Sequence, residues 1–570
     1  METGRLAVSA AADAEREDVL QRLERLNEVG ALLSHEAHLP TLLEKILDAA
    51  ASITRADGGT LYLVEGEGEQ RCLHFEIVHT HSIGIRLGGT SAEAAPFYPI
   101  PLIKGGEPNT SMVAAFAAIR GQTVNIADAY SERGFDFSGT RNFDSKIGYR
   151  SRSFLTVPMK DHQGEVIGVL QLINCTEGAS GNIIPFSEAD RRLAESLASQ
   201  AAIALTNRQL VDQLQGLFES FIGLINAAID EKSPYTGGHC QRVPALTMML
   251  ADAVAESKSG PLSDFHMSAE SRYELHIAGL LHDCGKITTP VHVVDKRTKL
   301  DGIFDRIALI DTRFAVIERD AEIDALKRKL GLHNSDRDPA SIAVAQTRID
   351  AELQNFRRNI DADRNFLRVC NNGSESMDEA DRERILQIAK TYKWEDANRR
   401  ISPFLSAEEA DDLRIKRGTL NAAEREIVNH HIVSTINMLE ALPWPKHLRN
   451  VPEFAGGHHE RMDGKGYPRG LTRDEMSVQA RIMGIADIFE ALTAKDRPYK
   501  NGKTLSESLR ILGKFAREGH IDPDLFQIFV REKVYLKYAE AFLDPAQIDE
   551  VDEASILGIH ADGMTVKKGK

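Results

Sequence analysis

Apolar residues recur at three- and four-residue steps from about Arg16 to Ala50, with Leu20, Leu23, Leu26, Val29, Leu32 and Leu33 on one stripe. That spacing predicts an amphipathic helix. The period then shortens to two. Residues 59–64 and 72–79 read as strands joined by the turn Glu65-Gly66-Glu67-Gly68. Residues 154–157 and 166–173 form a second such pair around Asp161-His162-Gln163-Gly164. Pro158 is expected to close the first strand of that pair, because proline cannot donate to the ladder. Ser187 stands where it can cap a helix beginning at Glu188, and no proline follows before Pro234. Helix, antiparallel strands, helix is an α+β plan.

Inside the long helix, Leu210, Leu214, Leu217, Phe221 and Leu224 repeat at three- and four-residue spacing. Two accounts fit: a face packed on the chain's own core, or a parallel coil that joins two copies into a homodimer. Residues 296–418 are charged and helix-forming, and the run from Gly331 to Pro339 separates 313–330 from 342–366. An antiparallel helical hairpin is expected there. The resulting expectation is multidomain. An N-terminal helix or tail over 1–24 precedes an α+β domain over 25–208 and a connecting helix over 209–232. An all-α domain over 233–545 follows, interrupted by the 296–418 hairpin, and then a tail over 546–570.

The 570 residues suffice for about two to four domains. No uninterrupted apolar run of about 18 residues occurs, so no membrane span is expected. The start of the chain carries Asp13, Glu15 and Glu17 and lacks a signal peptide's basic and apolar regions. Cys72, Cys175, Cys240, Cys284 and Cys370 are scattered, as in a protein of the reducing cytoplasm. The net charge of −16 disfavours nucleic-acid polymers as partners. A phosphate-bearing substrate must therefore meet locally concentrated positive charge, which metal ions and a few Lys and Arg can supply.

The second half of the chain holds histidines and aspartates in a fixed order. His239 lies in Gly237-Gly238-His239, and His282-Asp283 leaves an apolar helix face and precedes Cys284-Gly285-Lys286. His430-His431 and His458-His459-Glu460 come later, the latter just before Asp463-Gly464-Lys465-Gly466-Tyr467-Pro468. Asp487 is embedded among Ile482, Met483, Ile485, Ile488, Phe489 and Leu492. A carboxylate in such surroundings is costly unless paired or metal-bound. Imidazoles and carboxylates are ligands for Fe, Mn and Zn, and two metals sharing a carboxylate suit phosphodiester cleavage.

Two resemblances follow. Residues 25–208 resemble a GAF domain through Asn142-Phe143-Asp144, Gly148-Tyr149-Arg150-Ser151, Leu155-Thr156-Val157-Pro158, 164–174 and Phe186 with Asp190. That implies a fold that senses an unspecified small molecule, dimerises, or both. Cyclic-nucleotide-binding members carry a Lys and a Glu where this chain has Cys175 and Arg191. The histidine–aspartate set, with Gly466-Tyr467-Pro468-Arg469-Gly470-Leu471 and Asp496-Arg497-Pro498-Tyr499-Lys500, resembles the HD-GYP family of metallo-phosphodiesterases. The family places far less chain between its two blocks, so 296–418 reads as an insertion.

The resemblance implies hydrolysis of cyclic di-GMP to pGpG or GMP with two divalent ions, Fe or Mn. His239, His282, Asp283 and Asp487 are expected to hold one ion. Asp283 is expected to bridge to a second, held by His431 and His458 and completed by His459. His431 is preferred over His430. A third ion is not expected, because Tyr235 stands where some members carry a Glu; Asp230 or Glu231 are the substitutes at hand. Lys286 is expected to act on phosphate charge or the departing oxygen. Gly466, Tyr467, Arg497 and Lys500 are expected to contact the nucleotide, with Arg469 as a lesser candidate. Two alternatives stand beside this reading: a domain that binds cyclic di-GMP or a partner without turnover, and another enzyme of the broader HD superfamily.

Overall fold

The computed structural model describes residues 20–558 apart from 34, 35, 37, 92, 94, 178, 179, 233–237, 335–337, 374, 375, 397 and 496–501. The chain divides between Phe218 and Glu219 into two compact units. The division falls within one helix, Glu188–Lys232.

The first unit is built on an antiparallel sheet whose main path runs Ile85–Gly88, Cys72–Thr80, Ala56–Glu65, Val166–Thr176, Phe154–Lys160, Val124–Ile126. Alternation decides its two faces. Leu61, Leu170 and Leu172 join Leu42, Ile46, Leu47, Leu197 and Ala201 in one core. Tyr62 and Val169, one residue along, pack with Leu73 and the alanines of helix Val113–Arg120 in another. The unit is thus α+β, as expected.

Two local expectations are corrected. The stripe over 16–50 is not one helix. A helix over 20–33 is followed by a second, Leu39–Thr54, which has proline in its first turn; a ring that fixes φ and lacks an N–H suits a helix start. Nor does Pro158 close its strand, which continues to Lys160 with Pro158 opposite Val169. The neighbour on the other side, Val124–Ile126, pairs only with 154–156. The missing N–H therefore costs no ladder bond.

The second unit is mostly helical. His239–Glu256, Ala269–Leu281, Ala422–Glu440, Val451–Gly456 and Val478–Thr493 surround the histidines, and Leu505–Arg517, Pro523–Arg531 and Val534–Phe542 pack behind them. Within 296–418 the expected hairpin is present as Ile307–His333 and Pro339–Asn371. More accompanies it. Helices Glu379–Thr391 and Ala407–Leu413 and a ribbon of Lys393–Glu395 with Ile401–Pro403 close over a separate core that includes Ile310, Phe314, Leu367, Phe404 and Leu413. The ribbon and two isolated bridges, Thr298 with Asn372 and Asp463 with Thr472, are the departures from all-α character among the described residues of this unit. No helix of the described residues is long and apolar enough to cross a membrane.

Candidate metal centre

His239, His282 and His431 reach the centre from helix ends or faces and His458 and His459 from the turn after Val451–Gly456, and three of the rings are fixed locally. His282 caps helix Ala269–Leu281, and its Nδ1 lies 2.7 Å from the Gly279 carbonyl. His431 and His458 do the same at 2.6 Å with the carbonyls of Val428 and Ala455. A carbonyl can only accept, so Nδ1 carries the proton in all three and Nε2 presents its lone pair. His239 opens its helix, and its Nδ1 donates to Glu490 at 2.6 Å.

These Nε2 atoms converge on Asp283. Its Oδ2 lies 3.1 Å from His239 Nε2 and 3.2 Å from His282 Nε2, and its Oδ1 lies 3.2 Å from His431 Nε2. Asp487 Oδ1 is 3.4 Å from His239 Nε2. Three clusters of donor atoms, each within 4.8 Å, emerge: His239, His282, Asp487; His282, Asp283, His458; and His431, His458, His459. Neither Asp230 nor Glu231 belongs to them, and Tyr235 lies outside the described residues. His430 is exposed.

The donor set fits divalent cations. His282 Nε2 faces His239 Nε2 at 3.3 Å, and His459 Nε2 faces His431 Nε2 at 3.2 Å. Nitrogens at that separation either share a proton or turn their lone pairs toward a common cation. His458 Nε2 is buried without a hydrogen-bond partner, an expensive state for a polar atom that metal ligation relieves. Imidazole and carboxylate donors of this kind suit Fe, Mn or Zn.

Electrostatics keeps Asp283, Asp487, His458 and His459 in ligating form. Burial and Lys286 push the His239 pKa down, but the carboxylates of Asp283, Asp487 and Glu490 outweigh them and raise it well above the usual value, so a bound cation must displace its Nε2 proton. Burial pushes the pKa of Asp283 and Asp487 up, but the cations and imidazoles around them outweigh it and hold both well below the carboxylate range. Burial, with help from neighbouring imidazoles, holds His458 neutral and pushes His459 down to about 4. Lys286 ion-pairs with Asp283, and Asp283 and Asp487 hold it above its usual value despite burial.

A cavity of about 460 Å3 opens over His458, His459 and Asp487. Its wall includes Tyr467, whose ring stacks on His459 at 4.9 Å. The loop carrying Tyr467 is held by buried Glu460, which accepts from the backbone N–H of Arg469 (2.7 Å) and Leu471 (2.9 Å). Gly466 sits so close that a Cβ there would lie 2.4 Å from Glu460 Cα and Arg461 N. Arg469 points to Glu440 and does not line the cavity. Arg497 and Lys500 lie outside the described residues.

Arg461, Lys465, Lys503 and His520 also line this cavity, and the motifs did not single them out as substrate contacts. Glu490 was likewise missed, though a signal existed. It follows Asp487 by three residues and so shares its helix face.

A helical unit whose histidines and aspartates converge in this way, in a chain that also carries an α+β domain, defines the class: a GAF domain combined with an HD domain. Residues 38–205 match the GAF domain model and residues 408–525 the HD domain model. His431, His458, His459 and Asp487 fall inside the latter, while His239, His282 and Asp283 precede it. The chain is 36% identical over 121 residues to 3'3'-cGAMP-specific phosphodiesterase 1 of Vibrio cholerae serotype O1, a stretch covering 21% of this chain and 27% of that one. It is 36% identical over 121 residues to the cyclic di-GMP phosphodiesterase PA4108 of Pseudomonas aeruginosa, covering 21% and 28%. It is also 32% identical over 181 residues to the dual 3',5'-cyclic-AMP and -GMP phosphodiesterase 11A of Takifugu rubripes, covering 31% and 18%. The aligned stretch spans less than a third of each of these relatives.

Proposed function

We propose that this chain is an HD-GYP phosphodiesterase that opens cyclic di-GMP to linear pGpG, with GMP as the product of a second cut. Asp283 carries the reading: one carboxylate oxygen faces His239 and His282 and the other faces His431. That is the disposition a bridging ligand needs. Two divalent ions, Fe or Mn, would be held by His239, His282 and Asp487 on one side and His431, His458 and His459 on the other, with Asp283 between them. When bound they supply Lewis-acid charge and lower the pKa of water.

The chain's own residues do the rest. Lys286, protonated and paired with Asp283, offers charge to the phosphate and a proton at Nζ to the departing 3′ oxygen. Tyr467 provides a ring for a guanine base to lie against. Arg461, Lys465 and Lys503 bring positive charge to a cleft of about 460 Å3, within the range typical of small-ligand sites. Arg497 and Lys500 are retained as nucleotide contacts on motif grounds.

The first unit is proposed as a small-molecule sensor that sets the activity of the second, in a homodimer. Leu210, Leu214, Leu217, Phe221 and Leu224 are all exposed, between 45% and 65%, which favours the two-chain coil over a face packed on the chain's own core. An isolated helix with that stripe in water has little to hold it.

Anaerobic purification with metal analysis, followed by chromatography of products from cyclic di-GMP and 3'3'-cGAMP, tests the assignment. Linear pGpG or GMP is expected, and His282→Ala or Asp283→Ala should lose both metal and turnover. Fully metallated protein that cleaves neither dinucleotide would leave a binding regulator as the better account.

A further inference from the structure

The first unit contains a cavity of about 280 Å3 that the phosphodiesterase reading does not use. Liquid water of that volume amounts to roughly nine molecules at about 30 Å3 each, so the space suits one or two fused rings. Its wall carries a continuous run of aromatic rings. Tyr62 lies 4.7 Å from Phe75, Phe75 lies 5.0 Å from Phe97, and Phe97 lies 5.6 Å from Phe143, centroid to centroid. Tyr62 is buried, whereas Phe75, Phe97 and Phe143 are half-buried. Flat rings at these spacings offer faces and edges to another flat ring.

The charge at the wall is equally selective. No Lys, Arg or His is among the lining residues, and the one ionisable acid is Asp136. The hydroxyl and backbone N–H of Ser138 hold the carboxyl of Asp136, which is exposed at the rim, below its usual value. The polar floor is already engaged: the Tyr62 hydroxyl donates to Gln171 Oε1 at 3.2 Å, and Gln171 Nε2 donates to Thr156 Oγ1 at 3.1 Å. A phosphate placed here would lose water, gain no counter-charge and face a carboxylate, and each of these opposes binding.

We propose that this cavity binds a flat, uncharged aromatic molecule of one or two rings and rejects phosphate-bearing nucleotides. The proposal rests on the sensor role of the first unit and is independent of what the second unit hydrolyses. The signal reaching the enzyme would then be chemically distinct from its cyclic dinucleotide substrate.

Ligand-observed saturation-transfer NMR on the full chain tests this, with indole and adenine as neutral probes and cyclic AMP and cyclic GMP as charged ones. Both neutral probes should bind. Phe97→Ala should weaken them by up to about tenfold, the scale of one lost aromatic pair. Thr140→Trp, which fills the cavity and keeps the ring run, should abolish transfer and guards against a misfolded alanine variant. Cyclic nucleotides should bind at least about tenfold more weakly than the neutral rings. The proposal is overturned if neither neutral probe binds, if the binding of indole survives Thr140→Trp, or if a cyclic nucleotide binds as tightly and loses that binding in Thr140→Trp. Turnover is not read, so failure of the hydrolase assignment would show separately, in product analysis.

Discussion

Glu490 accepts a 2.6 Å hydrogen bond from Nδ1 of His239, across 251 positions of sequence. The same carboxylate is 1% exposed and ion-paired to Arg242 at 2.7 Å. It therefore fixes the tautomer and the rotation of the His239 ring, leaving Nε2 aimed at Asp283 and Asp487. Such an outer carboxylate is worth about 10- to 100-fold in metal affinity. Glu490→Gln should cost that much in a chelator competition assay, with far-UV CD unchanged because an amide oxygen can still accept the bond. Unaltered metal affinity would reduce Glu490 to a packing role.

Metal removal should also be felt as instability. Without cations the centre leaves two pairs of imidazole nitrogens 3.2–3.3 Å apart that must share protons and an unpartnered Nε2 on buried His458. A ligand at a hundred times its Kd stabilises the folded state by about 2.7 kcal/mol, which corresponds to roughly 3–4 °C in Tm for a unit of this size. Exhaustive chelation should lower the Tm by about that amount and Mn(II) should restore it. A Tm indifferent to chelation would mean that the cluster folds without ions.

The contrast between Glu490 and Asp283 shows what a sequence discloses. Asp283 sits beside His282 and before Gly285-Lys286, a local arrangement with chemical meaning before any folding. The Glu490–His239 pair exists only once two distant helices pack, and periodicity carries no record of which faces meet. The sheet strands were legible for the same reason as Asp283, since alternation is local. The break between the helix over 20–33 and Leu39–Thr54 was hidden by an apolar stripe that continues across it, although Pro40 marked the spot. The 296–418 segment was read as a hairpin because its two longest helices dominate. Its extra core depends on Phe314, Tyr392 and Phe404 meeting, a tertiary event. Arg461, Lys503 and His520 reach the cleft from separate segments and form no motif.

Inside the 296–418 segment, Arg313 holds Glu409 at 2.7 and 3.1 Å while also donating to the Phe404 carbonyl at 2.8 Å. Burial alone would raise the Glu409 pKa. Arg313 and the Ser406 N–H outweigh it and hold the carboxyl below its ordinary 4.5. A depressed folded value means the stabilisation is complete above the unfolded pKa and disappears as pH falls through the folded one. Glu409→Gln should cost on the order of 1–3 kcal/mol at neutral pH, and the deficit should shrink once the pH drops below about 4.5. Thermal melts of both proteins across that range decide it; a deficit independent of pH would remove the ion pair as its cause.

The exposed stripe on Glu188–Lys232 makes a simple hydrodynamic prediction. Light scattering on the intact protein should give twice the 63.0 kDa chain mass. Leu214→Glu combined with Leu217→Glu should give a single chain mass, because charges at the seam of a coil face one another in apolar surroundings. In one chain both side chains are exposed, so the folded units should keep their Tm. A wild-type protein that is monomeric at micromolar concentration would leave the stripe without the partner proposed for it.

Gly466 offers the most local test of the cleft. Its missing side chain lets the loop lie against Glu460 and Arg461, where a Cβ would come within 2.4 Å of backbone atoms on both residues. Backbone cannot swing aside as a long side chain can, so Gly466→Ala must displace the loop. Tyr467 would then lose its 4.9 Å stacking on His459, while His239, His282, Asp283, His431 and Asp487, carried on other segments, would keep their geometry. The expected outcome is a rise in KM for cyclic di-GMP of about tenfold or more, with metal content intact. Tyr467→Phe keeps the stacking ring and should leave KM within about threefold of wild type. If Gly466→Ala instead strips the metal and spares KM in the residual activity, the loop supports the ligands rather than the nucleotide, and Tyr467 must be withdrawn as a substrate contact.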